Sequence, residues 1–359
     1  MTILTAAPTD LMNQHTPVFD GHNDVLLRLF KSTSKDPVAD FLDGEEAGHI
    51  DLKKARAGSL AGGLFALYSP SATKTRLPNG QPSPNLPPPL SMDEARHSIA
   101  GELAILLRIV RASNGAVALC RNVAEIKAAM ARGALAVVVH IEGAEAIDAN
   151  LDFLDVLYAA GLRSLGPVWS RTNIFGHGVP FRFPSSPDTG DGLTVAGENL
   201  VRVCNEMKIL IDLSHITEKG FWDVARLSKA PLIATHSNVH ALCPSPRNLT
   251  DKQLDAIRDT DGMVGLNFAT GFLRDDGNMR PDTDIDLMVR HLDYLIEKLG
   301  EDRVGLGSDF DGATVPEKIG SAAGLPVLFQ ALRDKGYSEP LLTKIGSANW
   351  LDVLARTIG

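Results

Sequence analysis

Leu135–Glu142 reads LAVVVHIE. Apolar residues occupy both parities of this run, which is how a strand buried on both faces of a parallel sheet reads. The run then closes on a carboxylate, a group that almost never enters an interior unpaired. A strand that is apolar along its length and ends on Glu142 needs a cation or a donor waiting at its C-terminal end.

Outward from this strand, seven further runs have the same character: Pro17–Asp24, Leu60–Tyr68, Leu162–Trp169, Ile209–His215, Leu232–His236, Met263–Phe268 and Val304–Asp309. Helical patterns lie between them. Met92–Ala112 opens with Ser91 and Glu94 at the spacing of a capping box. Leu151–Ala160, Ala196–Glu206, Glu218–Leu227, Lys252–Asp259 and Ile285–Leu299 repeat apolar residues at i, i+3 and i+4. Eight β-then-α units predict an α/β fold of the closed (β/α)8 TIM-barrel type, an open doubly wound sheet being the alternative. At 359 residues, the chain fits one barrel domain over 1–359 with long βα loops at 69–90, 170–193 and 270–284. Each of these loops follows a strand and so rises from the C-terminal face, where lids are found.

The composition, 44% hydrophobic and 22% charged, is that of a globular protein. A net charge of −9 without any Lys/Arg run argues against a nucleic-acid partner. Cys120, Cys204 and Cys243 are too few and too scattered for a disulfide framework. The opening MTILTAAPTDLMNQHTPVFD has no basic start and no long apolar run, so no signal peptide and no membrane span are expected. These features together predict a cytoplasmic protein.

The chemistry gathers at the strand ends. The first strand closes on His22-Asn23-Asp24, and strand alternation sends His22 and Asp24 to one side. The third ends on Glu142, the fifth on His215 (IDLSHIT), the sixth on His236 (IATHSN) and the eighth on Asp309 (GLGSDFDG). A single His-x-Asp is an ordinary local pair. Five strands that each deliver His, Asp or Glu to the rim where barrels carry their active sites point to the metal site of a metal-dependent hydrolase. These donors outnumber the three protein ligands of an ordinary catalytic zinc, so two Zn2+ per chain are expected. Glu142 can bridge them, with His22 and Asp24 on one metal and His215 and His236 on the other. Asp309 remains as a proton acceptor. Asn267, at the end of the seventh strand, is read as a polar substrate-binding residue.

His22-Asn23-Asp24, the IEG around Glu142, DLSH, the TH of ATHSN, SPRNLTD and GSDFDG follow one another in an order that resembles the membrane dipeptidase (renal dipeptidase) family, peptidase family M19, whose barrels are amidohydrolase-like. The likeness runs from Asp20 to Asp311 and returns weakly at IGSANWLDVL. The resemblance implies a zinc-dependent dipeptidase with the metal ligands assigned above. It implies that a hydroxide shared between the two metals attacks the peptide bond, with Asp309 as general base and then acid. It implies that Arg247 pairs with the substrate's terminal carboxylate, that L,D-dipeptides are tolerated and that a homodimer is common. One position departs. Dipeptide-cleaving members carry a histidine after the fourth strand, near the scissile carbonyl, whereas GLRSLGPVWS places Trp169 there. Tryptophan offers one N–H donor and a large apolar wall, and cannot accept a proton. A deacylase of N-acyl amino acids or a lactonase on the same metal pair is therefore the alternative activity. A metal-binding scaffold without turnover is the alternative of another class, against which the unliganded Asp309 argues.

Overall fold

The computed structural model describes residues 15–71 and 83–359. The reading of residues 1–14 and the middle of the Pro-rich loop at 69–90 lie outside them. One parallel sheet is built from β1 Val18–Asn23, β2 Leu60–Tyr68, β3 Val117–Leu119, β4 Leu135–Glu142, β5 Leu162–Gly166, β6 Leu210–Ile211, β7 Ile233–Ala234, β8 Met263–Leu266 and β9 Val304–Leu306. The order β6-β5-β4-β2-β1-β9-β8-β7 brings the two ends of the path together. There a parallel bridge joins Asp212 to Ile233, and Leu213 N donates to Ile233 O at 2.8 Å. The result is the predicted (β/α)8 barrel, nearly closed.

The strands on this path correspond to those expected from the sequence. β3 is additional: it pairs with the first residues of β4 (Val117↔Leu135), while β5 pairs with the later ones (Ile141↔Leu165). The paired segments are shorter than the apolar runs. β5 stops at Gly166 because Pro167 has no N–H to give to a ladder. β6 stops at Ile211, and the chain then runs on to His215, whose φ of +68° is incompatible with a strand. Met92–Ala112, Glu218–Leu227 and Ile285–Leu299 are helical over the bounds expected, and the Ser91–Glu94 capping box is present. The stretch at 270–284 is not wholly a loop, since it opens with the helical turn Thr270–Leu273.

Two sets of side chains divide the barrel wall. Val137, Val139 and Ile141 of β4 pack outward with the helices, whereas Ala136 and Val138 belong to an inner cluster with Phe19, Leu64, Leu210, Ile233 and Met263. His140 and Glu142 continue the inner parity of β4 toward the C-terminal mouth. β1 breaks the simple rule. Its register against β2 shifts between Asp20 and Asn23, and such an irregularity re-aims side chains. Phe19 and His22, three apart, both point inward as a result. Among the described residues, no helix is long and apolar enough to cross a membrane.

The bottom of the inner cluster is closed by the helix Asn349–Thr357, which inserts Trp350, fully buried. Its Nε1 donates to Leu306 O at 2.9 Å, and a Cβ at Gly21 or Gly305 would run into its ring. Deleting an aromatic of this size from a fully packed site typically costs about 3–5 kcal/mol. Trp350→Ala should lower the unfolding free energy by that amount in denaturant melts. A loss of about 1 kcal/mol or less would mean that the barrel floor is held otherwise.

Candidate metal centre

The six predicted donors converge above the inner cluster. His22 Nε2 lies 3.4 Å from Asp24 Oδ2 and 3.7 Å from Glu142 Oε1. The same oxygen lies 3.0 Å from His215 Nε2 and 3.4 Å from His236 Nε2, and these two nitrogens are 3.2 Å apart. All three imidazoles thus face one oxygen of Glu142, which sits at the centre of the donor set, and His22, Glu142 and His236 offer donor atoms within 4.8 Å of one another. Donor atoms of His22, Asp24 and Asp309 also lie within 4.8 Å of one another.

Two of the three imidazoles, His215 and His236, are aimed by the residues behind them. His215 Nδ1 lies 2.8 Å from Ser170 Oγ, and His236 Nδ1 lies 2.8 Å from Thr235 Oγ1. A ring whose Nδ1–H is used this way presents Nε2 as a lone pair, the arrangement of metal-bound histidines. Thr235 Oγ1 in turn donates to Asp212 Oδ2 at 2.7 Å, and Asp212 also accepts from Ser214 N and Oγ. Asp20 plays the matching part below β1, accepting from Ser308 N and Oγ at 2.7 Å. The backbone is strained where it turns into the site. His215, Asp309 and Asp311 sit at φ of +68°, +56° and +67°, conformations that L-residues hold only when their surroundings over-determine them.

The electrostatics ask for a cation. Both ring nitrogens of His22 are buried without a hydrogen-bond partner, a costly state for a polar group. Burial disfavours the charged ring, but Glu142 and Asp24 outweigh it, so with protein groups alone His22 would titrate at about 10. Burial pushes Glu142 well above the usual carboxylate range, with Asp24 and Asp309 adding to the shift. Burial also raises Asp309 to about 6, with Asp24 acting in the same direction. His215 and His236 are held well below their ordinary range, chiefly by burial, which leaves them neutral as ligands must be. Buried carboxylates crowded among imidazoles, of which His215 and His236 are held neutral, are relieved by divalent metal. The donor set of N and O atoms suits zinc.

A cavity of about 310 Å³ opens above these donors, at the small end of ligand-binding pockets. Trp169 lines it, with its ring centroid 5.7 Å from that of His215. Arg247 is only 3% exposed and is not among the residues that line the cavity. Its Nη2 donates to His236 O at 3.1 Å and its Nη1 reaches Ser237 Oγ at 3.4 Å, while Nε has no partner. Asn267 sits one layer back. Its Nδ2 donates to Asp309 Oδ2 at 3.0 Å and its Oδ1 accepts from Ala269 N at 2.6 Å, so its amide holds the carboxylate rather than lining the cavity wall. His140 is an interior residue with Nδ1 2.8 Å from Ser164 Oγ. His177 is spent on Gly192 O at 3.0 Å.

The sequence reading did not single out Tyr68, Phe181 and Phe272, which form the aromatic side of the cavity, or the buried pair Arg171–Glu145. A signal for the pair was present. Glu145 and Arg171 are charged residues close behind the ends of apolar strands, the same argument that singled out Glu142.

A parallel barrel whose strand ends hold such a donor set is a metal-dependent hydrolase of the amidohydrolase type. The profile of the membrane dipeptidase family (peptidase family M19) matches residues 7–358, and the chain belongs to that family. It is a metallo-dipeptidase. The chain is 51% identical to a metallopeptidase from Rhodobacter sphaeroides solved with a phosphinate mimic of the dipeptide L-Ala-D-Ala, with a TM-score of 0.92 over 95% of this chain and 99% of that one. It is 52% identical to the dipeptidase AC, a metallopeptidase of family M19, with a TM-score of 0.91 over 96% of this chain and 100% of that one. A Klebsiella pneumoniae relative, described as an uncharacterized protein in the pqqA 5′ region, is 52% identical over 253 residues, 70% of this chain and 93% of the relative.

Proposed function

We propose that the chain is one catalytic barrel that hydrolyses dipeptides bearing a free C-terminal carboxylate, L,D-dipeptides among them, with two zinc ions per chain. His22, Asp24 and Glu142 would hold one ion, and Glu142, His215 and His236 the other. Zinc at such a site supplies Lewis acidity, polarising a carbonyl and activating water. The observation that carries the substrate reading is Arg247. Among the described residues no carboxylate lies within ion-pair distance of it, whereas the other fully buried guanidinium, Arg171, is paired with Glu145 at 2.9 Å. A buried cation without an anion is costly, and a substrate carboxylate would complete it through two parallel charge-assisted bonds. The L,D reading draws on the ligand of the Rhodobacter sphaeroides relative.

The chain's own groups then divide the work. Arg247 orients the substrate by its terminal carboxylate. Asp309, held by Asn267 Nδ2, accepts a proton from the attacking water on Oδ1 or Oδ2 and returns it to the amine that leaves. Trp169 and Tyr68 wall off water; the indole has no basic atom, and burial pushes the Tyr68 phenol well above its ordinary range, which keeps it protonated. The free, buried Cys120, Cys204 and Cys243 accord with a reducing compartment such as the cytoplasm.

The test is a panel of L,L- and L,D-dipeptides, N-acyl amino acids and lactones assayed on zinc-loaded protein. Dipeptides should give the highest kcat/KM. Faster cleavage of acyl amino acids or lactones would replace this reading with the deacylase or lactonase one, and no turnover at all would leave a metal-binding scaffold. Elemental analysis should find about two zinc ions per chain, and chelation should abolish turnover. Full activity with at most one metal would overturn the two-metal assignment.

A further inference from the structure

Arg171 follows β5 two residues beyond Trp169 and is fully buried. Its Nε donates to Glu145 Oε1 at 2.9 Å, its Nη1 to Ser71 Oγ at 2.7 Å and its Nη2 to Ser69 O at 2.9 Å. Glu145 follows β4, and Ser69 and Ser71 follow β2. One guanidinium thus ties together three of the connections at the mouth of the barrel. Its central carbon lies 5.4 Å from the Trp169 ring and 5.9 Å from the Tyr68 ring. Those two rings meet edge to face, 5.2 Å apart, and both line the cavity that Arg171 itself does not reach.

The aromatic wall has a direction. Arg247 stacks on Phe272 at 5.4 Å; Phe272 is 6.2 Å from Phe181, Phe181 5.6 Å from Trp169, and Trp169 5.2 Å from Tyr68. The wall therefore begins at the carboxylate-reading arginine and ends at the Tyr68–Trp169 pair. On the reading proposed above, a dipeptide with its carboxylate at Arg247 would set its C-terminal residue beside Phe272 and its N-terminal residue beside Trp169 and Tyr68.

We propose that Arg171, neutralised by Glu145, is a positioning residue that fixes the Tyr68–Trp169 wall and so sets which side chain the N-terminal residue of the substrate can carry. This rests on the dipeptidase reading above, which fixes the orientation. The physical case is that two rings at a cavity wall keep their pitch only if something rigid backs them. A planar guanidinium does so by backing both rings from one side, through directed bonds at its edge and cation–π contact with each ring. Lysine has neither the fork nor the flat face. Because the same guanidinium grips Ser69 and Ser71, the wall and the root of the loop after β2 move together or not at all.

The experiment compares Arg171→Met, Arg171→Lys and Ser71→Ala in the full zinc-loaded chain. One substrate series varies the N-terminal side chain from alanine to phenylalanine over a C-terminal alanine, and the other varies the C-terminal side chain. In Arg171→Met, the ratio of kcat/KM between the smallest and largest N-terminal residues should shift by about tenfold or more, the range that pocket shape commands. The C-terminal series and the acid-to-amide ratio should stay within about threefold, with zinc content unchanged. Arg171→Lys should fall in between, and Ser71→Ala should move the same ratio less; these two carry the test if the methionine variant does not fold. Tryptophan fluorescence should also change in Arg171→Met, and the change should vanish when Trp169→Phe is added. Equal shifts in both series, or none in either, would refute the role of Arg171 while leaving the dipeptidase reading intact. Failure of the wild type to cleave any dipeptide would refute both.

Discussion

Asp309→Asn should lower kcat by about 100-fold or more, the range expected when acid–base catalysis is lost, with zinc content near that of the wild type. The carboxylate is positioned for one task. Its Oδ2 accepts from Asn267 Nδ2 at 3.0 Å and its backbone is held at φ +56°, which fixes the carboxylate beside the donor set where it can take a proton and return it. Asparagine keeps the size and can keep a contact to Asn267, but it has no basic oxygen. The competing role is that of a ligand, since donor atoms of Asp309, His22 and Asp24 all lie within 4.8 Å of one another. Elemental analysis of the variant separates the two: a lost metal would make Asp309 a ligand, and a retained metal with slow turnover makes it the proton carrier.

The second large effect concerns Arg247. Amidating the C-terminus of a good dipeptide should lower kcat/KM by about 30- to 5,000-fold, the equivalent of the roughly 2–5 kcal/mol lost when a buried charge pair loses one member. Arg247 is 3% exposed, its Nε has no partner, and its other donors reach only a carbonyl and a hydroxyl. Against a neutral amide the guanidinium would remain buried with no anion in direct contact, only the more distant Asp309, Glu142 and Asp212 acting on it. In Arg247→Met the acid and the amide should be cleaved at rates much closer to one another. The measurement is kcat/KM for matched acid and amide pairs in both proteins, and equal wild-type rates would remove Arg247 from substrate recognition.

Much of this site could be read from strand ends alone. The rule that a carboxylate or imidazole at the end of an apolar strand needs a partner singles out His22, Asp24, Glu142, His215, His236 and Asp309, and the barrel brings all six together. Three kinds of feature were beyond it. The inward turn of His22 depends on a register shift between Asp20 and Asn23, which no alternation rule contains. The layer beneath the site depends on which strands become neighbours: Asp20 meets Ser308, and Asp212 meets Thr235, only because the sheet closes. Asn267 looked like a pocket residue because it ends a strand, yet one layer of depth turns it into the support of Asp309. Trp350 shows the same limit in the core. Its helix pattern is plain, but its place as the barrel floor requires Gly21 and Gly305 opposite it.

Anomalous diffraction from the zinc-loaded protein bound to a dipeptide phosphinate should show two zinc peaks, one on each side of Glu142, with His22 and Asp24 at the first and His215 and His236 at the second. The inhibitor's terminal carboxylate should lie on the Arg247 guanidinium, and Asp309 should be free of metal. A single peak, Asp309 among the ligands, or a carboxylate bound away from Arg247 would contradict this assignment.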